Sequence, residues 1–250
     1  MGPSAPAIRR VLTSAEAVAT LYLVGTPIGN MEDMTLRALT VLAQVGALAC
    51  EDTRRTRTLL TRHGIKTPAI LFSLHEHNEG RAKGRVLGLL ESGVDVAVCS
   101  DAGQPLISDP GYPTLREAID RGHPVEVIPG PSAVTAALTV SGLPVSSFTF
   151  KGFPPRRPGP RRRFLEVERD SPHTLVFFES PYRLAALLEQ ALEVYGDRAA
   201  CVCVELTKKF EEVHRGTLGE LHKQLSSKPA RGEVTVLVAP LTRAERRASA

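Results

Sequence analysis

The strongest constraint on this chain is an alternation. Short apolar or β-branched runs recur to about residue 145, and between them lie segments with apolar residues three or four apart. Period-two or continuous apolar runs of this length read as strands, and the three-to-four spacing reads as amphipathic helices. Strand, helix, strand in steady succession predicts an α/β fold with a mostly parallel sheet, because parallel neighbours need a crossover and a helix supplies it. The predicted strands are Leu21 to Val24, Ala47 to Cys50, Ile70 to Ser73, Val94 to Ser100 and Val125 to Ile128. Leu36, Leu39 and Leu42 mark one helix face, and Val86, Leu89 and Leu90 mark another that stops at Gly93.

The texture changes after Leu143. Ser147 to Phe150 reads as a strand and Pro154 to Arg163 as a basic linker or loop. Thr174 to Phe178 is a predicted strand, followed by a helix with Ser180 as N-cap and Pro181 in its first turn. Cys201 to Leu206, Glu212 to His214 and Glu233 to Ala239 are further strands, and Thr217 with Glu220 spells a capping box. The expected organisation is a leader over 1–20, an α/β domain over 21–146, a second over 147–240 and a basic tail over 241–250.

Composition narrows the class. The 250 residues are 42% hydrophobic and 23% charged, as expected of a globular chain. No apolar run approaches the roughly 20 residues that span a bilayer, and the start has no signal-type stretch; a cytosolic protein with no membrane partner is expected. Four cysteines are too few for a disulfide scaffold, and Cys50, Cys99, Cys201 and Cys203 read as buried strand thiols. The net charge of +4 admits a nucleic-acid partner without requiring one. Arg156, Arg157, Arg161, Arg162 and Arg163 form one basic cluster and Arg243, Arg246 and Arg247 another; either could be a plain solvated segment.

Four loops carry residues that folding alone does not need. Gly25-Thr-Pro-Ile-Gly-Asn30 follows the first strand and reads as a tight turn or as a backbone approach to a ligand. Ser100 to Gly111 holds two carboxylates, two glycines and two prolines, the content of a shaped loop or of a structural turn. Pro129-Gly-Pro-Ser132 opens a helix, where free amides suit an anion or a sugar oxygen and where Ser132 could equally be an ordinary cap. Glu51-Asp-Thr-Arg-Arg-Thr56 reads either as an acidic helix start or as a polar site whose carboxylates meet a ribose and whose arginines meet phosphates. His75-Glu-His77 lacks the helical spacing of a metal pair; no metal is expected. In an open α/β sheet such loops, beyond the carboxyl ends of the strands, are where ligands bind. These residues describe a ligand-binding α/β enzyme without naming its ligand.

Taken together, Gly25 to Asn30, Glu51-Asp-Thr-Arg54, Ser100-Asp-Ala-Gly103, Pro105 to Gly111, Pro129 to Ser132, Glu179-Ser180, Glu205-Leu-Thr-Lys208 and Arg231-Gly-Glu233 resemble, in order, the signature of the ribosomal RNA small subunit methyltransferase I family, within the tetrapyrrole methylase superfamily. The resemblance implies two α/β domains with the cofactor cleft between them, usually in a homodimer. It implies transfer of a methyl group from S-adenosylmethionine to a cytidine 2′-oxygen in the decoding region of 16S rRNA in the 30S subunit. By matching position it implies cofactor contacts at Pro27, Ser100, Asp101, Ala102, Gly103, Leu106, Ile107, Ser108, Ser132, Phe178, Leu206 and Gly232. Gln104 stands where the family often has Thr. Glu51, Asp52 and Asp109 are candidates to accept the hydroxyl proton and Lys208 to orient the hydroxyl. Arg54, Arg55 and the 156–163 arginines are candidate phosphate contacts. The competing expectations are carbon methylation of a tetrapyrrole and a non-catalytic rRNA-binding assembly factor.

Overall fold

The computed structural model describes residues 18–241. The expected leader as far as residue 17, and the tail with Arg243, Arg246 and Arg247, lie outside the described residues.

Five strands, β1 (Leu21–Val24), β2 (Ala47–Cys50), β3 (Ile70–Ser73), β4 (Val96–Cys99) and β5 (Val125–Ile128), form one sheet in the order β3-β2-β4-β1-β5. Every pairing in it is parallel. The inner strands β2 and β4 are buried at every residue. That explains why they read as unbroken apolar runs: helices cover both faces of a parallel sheet, so neither face can be polar. The crossovers are α1 (Leu36–Gln44), α2 (Thr53–Arg62), α3 (Glu79–Glu91) and α4 (Tyr112–Asp120). In α1 the inward face is Ala38 and Leu42, while Leu36, expected on that face, is 83% exposed at the helix start. In α3, Ala82, Val86, Leu87 and Leu90 are buried, and the helix stops where Gly93 takes a φ of +80° that other residues resist.

Three glycines on α3, Gly80, Gly84 and Gly88, have open space where a Cβ would sit. They cost helix stability through backbone entropy and add no packing. Gly88→Ala is therefore expected to raise stability by about 0.5–1 kcal/mol, read as a higher urea midpoint at unchanged slope.

The second sheet has the order β6-β7-β10-β8-β9 and contains β6 (Phe148–Phe150), β7 (Thr174–Glu179), β8 (Ala199–Val204), β9 (Glu212–Thr217) and β10 (Val234–Val238). Only β6 and β7 pair in parallel; β10 is antiparallel to both β7 and β8, and β8 to β9. One face packs Leu175, Phe177, Val202 and Val236 against α6 (Pro158–Glu166), α7 (Leu184–Tyr195) and α8 (Leu218–Ser227). The other face packs Val176, Cys201, Cys203 and Leu237 against α5 (Ala133–Ser141), Ile28 and Leu206. All four cysteines are buried and free. Thr217 caps α8 in the capping box with Glu220.

Residues 158–166 are a helix, not a linker: Pro158 occupies a first-turn position where a missing N–H costs nothing, and Leu165 enters the core. The helix after β7 begins at Leu184 and is not capped by Ser180. Ser180 lies in the turn ahead of it, where the carboxylate of buried Glu179 accepts the Ser180 N–H and pairs with Arg183.

The expected division at residue 146 falls between the last strand of the first sheet and the first of the second. By packing, the chain forms two compact units. Among the described residues, the first holds 18–24, 36–101 and 109–128; the second holds 25–35, 102–108 and 129–241. No helix among the described residues is long and apolar enough to cross a membrane.

Candidate functional site

The register of the first sheet aligns its strand ends. Ser73, Cys50, Cys99, Val24 and Ile128 lie in one row across it. The residues that follow them, including Gly25, Glu51, Ser100 and Pro129, therefore all leave from one edge, the carboxyl edge where open α/β sheets bind ligands.

In the first unit this edge gathers carboxylates. Asp52 is the N-cap of α2, accepting the Arg54 N–H at 2.8 Å, and its two oxygens also take the Arg54 guanidinium at 3.1 and 2.8 Å. Those hydrogen bonds hold its pKa well below the usual carboxylate range, so Asp52 is a poor proton acceptor. Asp101 accepts the Asp52 N–H at 3.0 Å and lies 3.4 Å from the Arg55 guanidinium. Glu51 and Asp109 have no such strong partner. Burial, and then the charge of Asp101, pushes Glu51 up. Burial and then the charge of Glu51 push Asp109 up to about 6, against the opposing pull of a hydrogen bond with Ser100. Asp109 is thus a carboxylate with raised basicity that remains ionised at neutral pH, which suits a general base. Within this unit His75 adds a weak opposing charge effect on Glu51. Its neighbour His77 stands edge-on at 6.1 Å between ring centres. Among the described residues no group of three or more His, Cys, Asp or Glu side chains is placed to hold a metal ion.

In the second unit three loops converge. Thr26 and Gly103 exchange backbone hydrogen bonds at 2.9 and 3.1 Å. Gly25 lies so close to Gly130 that a Cβ on it would stand 2.7 Å from the Gly130 backbone and from the Gln104 side-chain oxygen. Gly103, at φ +87°, has Ile28 and the Pro131 carbonyl over it. The loop 102–108 is strained: Leu106 and Ser108 both adopt the left-handed region, at φ +72° and +67°, which costs a side-chain-bearing residue roughly 1–2 kcal/mol. Ser132 is the N-cap residue of α5, but its hydroxyl caps no amide.

Beside these, the β8–β9 turn is strained as well, with Glu205 at φ +51° and Thr207 at +65°. The Thr207 hydroxyl accepts the Asn30 N–H at 3.1 Å, and Gly29 is bare where the Lys208 stem passes. The Lys208 ammonium contacts Glu205 at 2.8 Å and Glu233 at 3.2 Å. Burial works against its charge, but these carboxylates outweigh it and the pKa is raised. Lys208 is therefore a fixed cation, able to orient a group and unable to take a proton. Gly232, at φ +87°, leaves room for the Glu205 side chain. Phe178 packs edge-on to Phe150 at 4.8 Å in the cluster that contains Ile28 and Leu206.

Pro27, Ala102, Gly103, Leu106, Ile107, Ser108, Ser132, Phe178, Leu206 and Gly232 thus belong to the second unit. Ser100, Asp101 and the candidate acids Glu51, Asp52 and Asp109 belong to the first. Sequence reasoning did not find the Gly25–Gly130 approach or the two counter-ions of Lys208; the first had a signal in the paired glycines, while of the second pair Glu205 lies three residues from Lys208 and Glu233 is brought near only by the fold.

The basic cluster does not survive as a unit. Arg161 is 5% exposed and donates to the Gln190 side chain, whose amide in turn donates to the Pro158 carbonyl, so it ties α6 to α7. Arg162 pairs with Glu166 at 3.1 Å and Glu193 at 2.8 Å. Arg156, Arg157 and Arg163 are exposed.

Residues 20–222 match the family Tetrapyrrole (Corrin/Porphyrin) Methylases. The chain is 51% identical to a protein of Mesorhizobium japonicum named ribosomal RNA small subunit methyltransferase I, over 88% of this chain and 75% of that one. A Thermotoga maritima protein of the same name is 45% identical over 87% of this chain and 97% of its own length. Among solved structures, a cobalt precorrin-4 methyltransferase of cobalamin biosynthesis superposes with a TM-score of 0.71 at 18% identity, covering 92% of this chain and 98% of that one. A uroporphyrin-III C-methyltransferase from Thermus thermophilus gives 0.62 at 24%, covering 88% and 94%. Those two likenesses establish the fold alone. The sequence relatives go further: the chain belongs to the ribosomal RNA small subunit methyltransferase I family of tetrapyrrole methylases, methyltransferases whose methyl donor is S-adenosylmethionine.

Proposed function

We propose that this protein transfers the S-adenosylmethionine methyl group to a cytidine ribose 2′-hydroxyl of 16S rRNA, in the decoding region of the 30S subunit, and that it works in the cytoplasm as a homodimer. The observation that carries the reading is the 42–51% identity to proteins named for rRNA methylation, set against 18–24% to tetrapyrrole enzymes of the same fold.

The residues fit the donor. The second unit offers backbone groups, an uncommitted Ser132 hydroxyl and strained positions at Leu106 and Ser108. Strain of that kind persists where the surrounding structure holds a ligand clamp in place. We assign donor binding to Pro27, Ala102, Gly103, Leu106, Ile107, Ser108, Ser132, Phe178, Leu206 and Gly232, with Ser100 and Asp101 shaping the approach to that loop. When bound, S-adenosylmethionine supplies a methyl group activated by the sulfonium charge.

The chain's own work is then positioning and proton removal. A ribose hydroxyl attacks well only as its proton leaves. Asp109 accepts that proton, with burial and then the neighbouring charge of Glu51 keeping its basicity high. Lys208 orients the hydroxyl, and Asp52 holds the start of α2. Arg156, Arg157 and Arg163 supply salt-dependent contacts to phosphates, and Arg54 and Arg55 do so by exchanging their present carboxylate partners. Arg161 supports this surface from within the α6–α7 packing, and exposed Arg162 supports it through its ion pairs with Glu166 and Glu193.

Tritiated methyl transfer to 30S subunits that lack the modification, followed by nuclease digestion and mass spectrometry, tests the reading. The expected product is 2′-O-methylcytidine. Label appearing only on a porphyrinoid would replace the substrate, and donor binding without transfer to RNA would point to an assembly factor.

A further inference from the structure

The turn after β6 carries an exposed aromatic that the proposed chemistry does not use. Phe153 is 56% exposed. A single apolar side chain in water is ordinary, but this one is held. The Lys151 N–H donates to the Val176 carbonyl and the Phe178 N–H to the Gly152 carbonyl, both at 3.0 Å, so the strand pairing continues to the residue before Phe153. Gly152 turns the chain at φ +63°, and the following Pro154 is buried. One side of the Phe153 ring leans on Phe178, with 5.6 Å between ring centres. The rest of the ring faces solvent. Phe210, by contrast, is 72% exposed but already has the Lys209 ammonium over its ring.

The surroundings of Phe153 indicate what could cover it. Arg156 and Arg157 follow on the same turn, exposed and without an ion pair among the described residues. Gly152 also abuts the proposed donor loop, since a Cβ there would stand 3.4 Å from the Ser108 hydroxyl oxygen. A fixed aromatic face followed three and four residues later by two exposed arginines is the combination that binds single-stranded nucleic acid: bases stack on the ring while cations follow the phosphates. A protein partner would be expected to meet a broader apolar patch.

We propose that Phe153 is a stacking platform for one unpaired base of the RNA substrate, next to the methylated nucleotide, with Arg156 and Arg157 holding the adjoining phosphates. This rests on the RNA reading above. It assigns Phe153 to substrate positioning and leaves donor binding to the residues already named.

The test uses the full chain, a single-stranded oligoribonucleotide of mixed sequence and 30S subunits. The protein contains no tryptophan, so Phe153→Trp introduces a single reporter at the platform. Saturating oligoribonucleotide should quench its fluorescence. Phe153→Leu keeps an apolar group on Phe178 but removes the π-face. It and Phe153→Ala should weaken oligoribonucleotide binding by about tenfold or more and raise the KM for 30S subunits, with affinity for S-adenosylmethionine unchanged. If Leu binds RNA as tightly as Phe, or the Trp reporter stays unquenched at saturation, the platform is wrong while the RNA reading stands. If the unsubstituted protein binds neither RNA nor 30S subunits, the RNA reading fails and this proposal fails with it.

Discussion

Asp109→Asn is expected to reduce methyl transfer by about two to four orders of magnitude, the usual worth of a positioned general base, while donor affinity stays within a few fold. The pH dependence should identify the group. A base must be ionised to act, so turnover of the unsubstituted protein should rise through about pH 6, where the Asp109 carboxyl titrates, and level off above it. The residual activity of the variant should lack that rise. Stability should move in the opposite sense. A carboxyl whose pKa is higher folded than unfolded contributes fully below its ordinary value, and that contribution is lost as pH rises through the folded value. Asparagine escapes the loss, so the variant should melt above the unsubstituted protein at pH 8 and the gap should shrink towards pH 4. Full activity in Asp109→Asn would pass the role to Glu51.

Gly130→Ala should be the most damaging small change in the second unit. A Cβ there would stand 2.9 Å from the Gly25 Cα and carbonyl carbon and 3.0 Å from its oxygen. These are backbone atoms, with no flexible side chain to step aside, so one of two loops must move. The expected cost is about 1–3 kcal/mol of stability, read as a lower urea midpoint, together with at least a tenfold loss of S-adenosylmethionine affinity by calorimetry, because the same loops carry Pro27, Gly103 and Ser132. Gly88→Ala supplies the contrast, the same added methyl in open space. A variant with the original midpoint and affinity would mean that the glycine pair is not needed for the loops to meet.

The strands of the first sheet were legible because parallel strands covered on both faces must be apolar throughout, and Ala47 to Cys50 could hardly be anything else. The stretch around Arg161 was not legible as a helix. Pro158, Gly159 and Pro160 argue against one locally, and only packing of Leu165 under β7 and the Arg161–Gln190 contact overrides them. The start of α7 was misplaced because Ser180 and Pro181, which read as a cap and first turn, fall in a non-helical turn where Glu179 accepts the Ser180 N–H and pairs with Arg183, so the helix begins only at Leu184. For the candidate site, loop composition marked where to look, but glycines and prolines do not encode a donor. That came from the family resemblance. The raised Asp109 was one of three acids that sequence could not rank, because what separates it from Asp52 is burial beside Glu51 as against three hydrogen bonds from Arg54.

The division of the chain into units has a bearing on its biosynthesis. Residues 25–35 and 102–108 leave the ribosome early, yet they pack with a body composed mainly of residues 129–241. That body has β10 at its centre, between β7 and β8, and β10 is the last of its strands to be made. Translation runs from the N-terminus, so the strands of the first sheet can pair while the early loops still lack their partners. A nascent chain stopped before residue 234 would carry every acid of the proposed proton acceptor and no settled place for the donor. The place for the donor would then wait on a five-residue strand made after every strand of the first sheet.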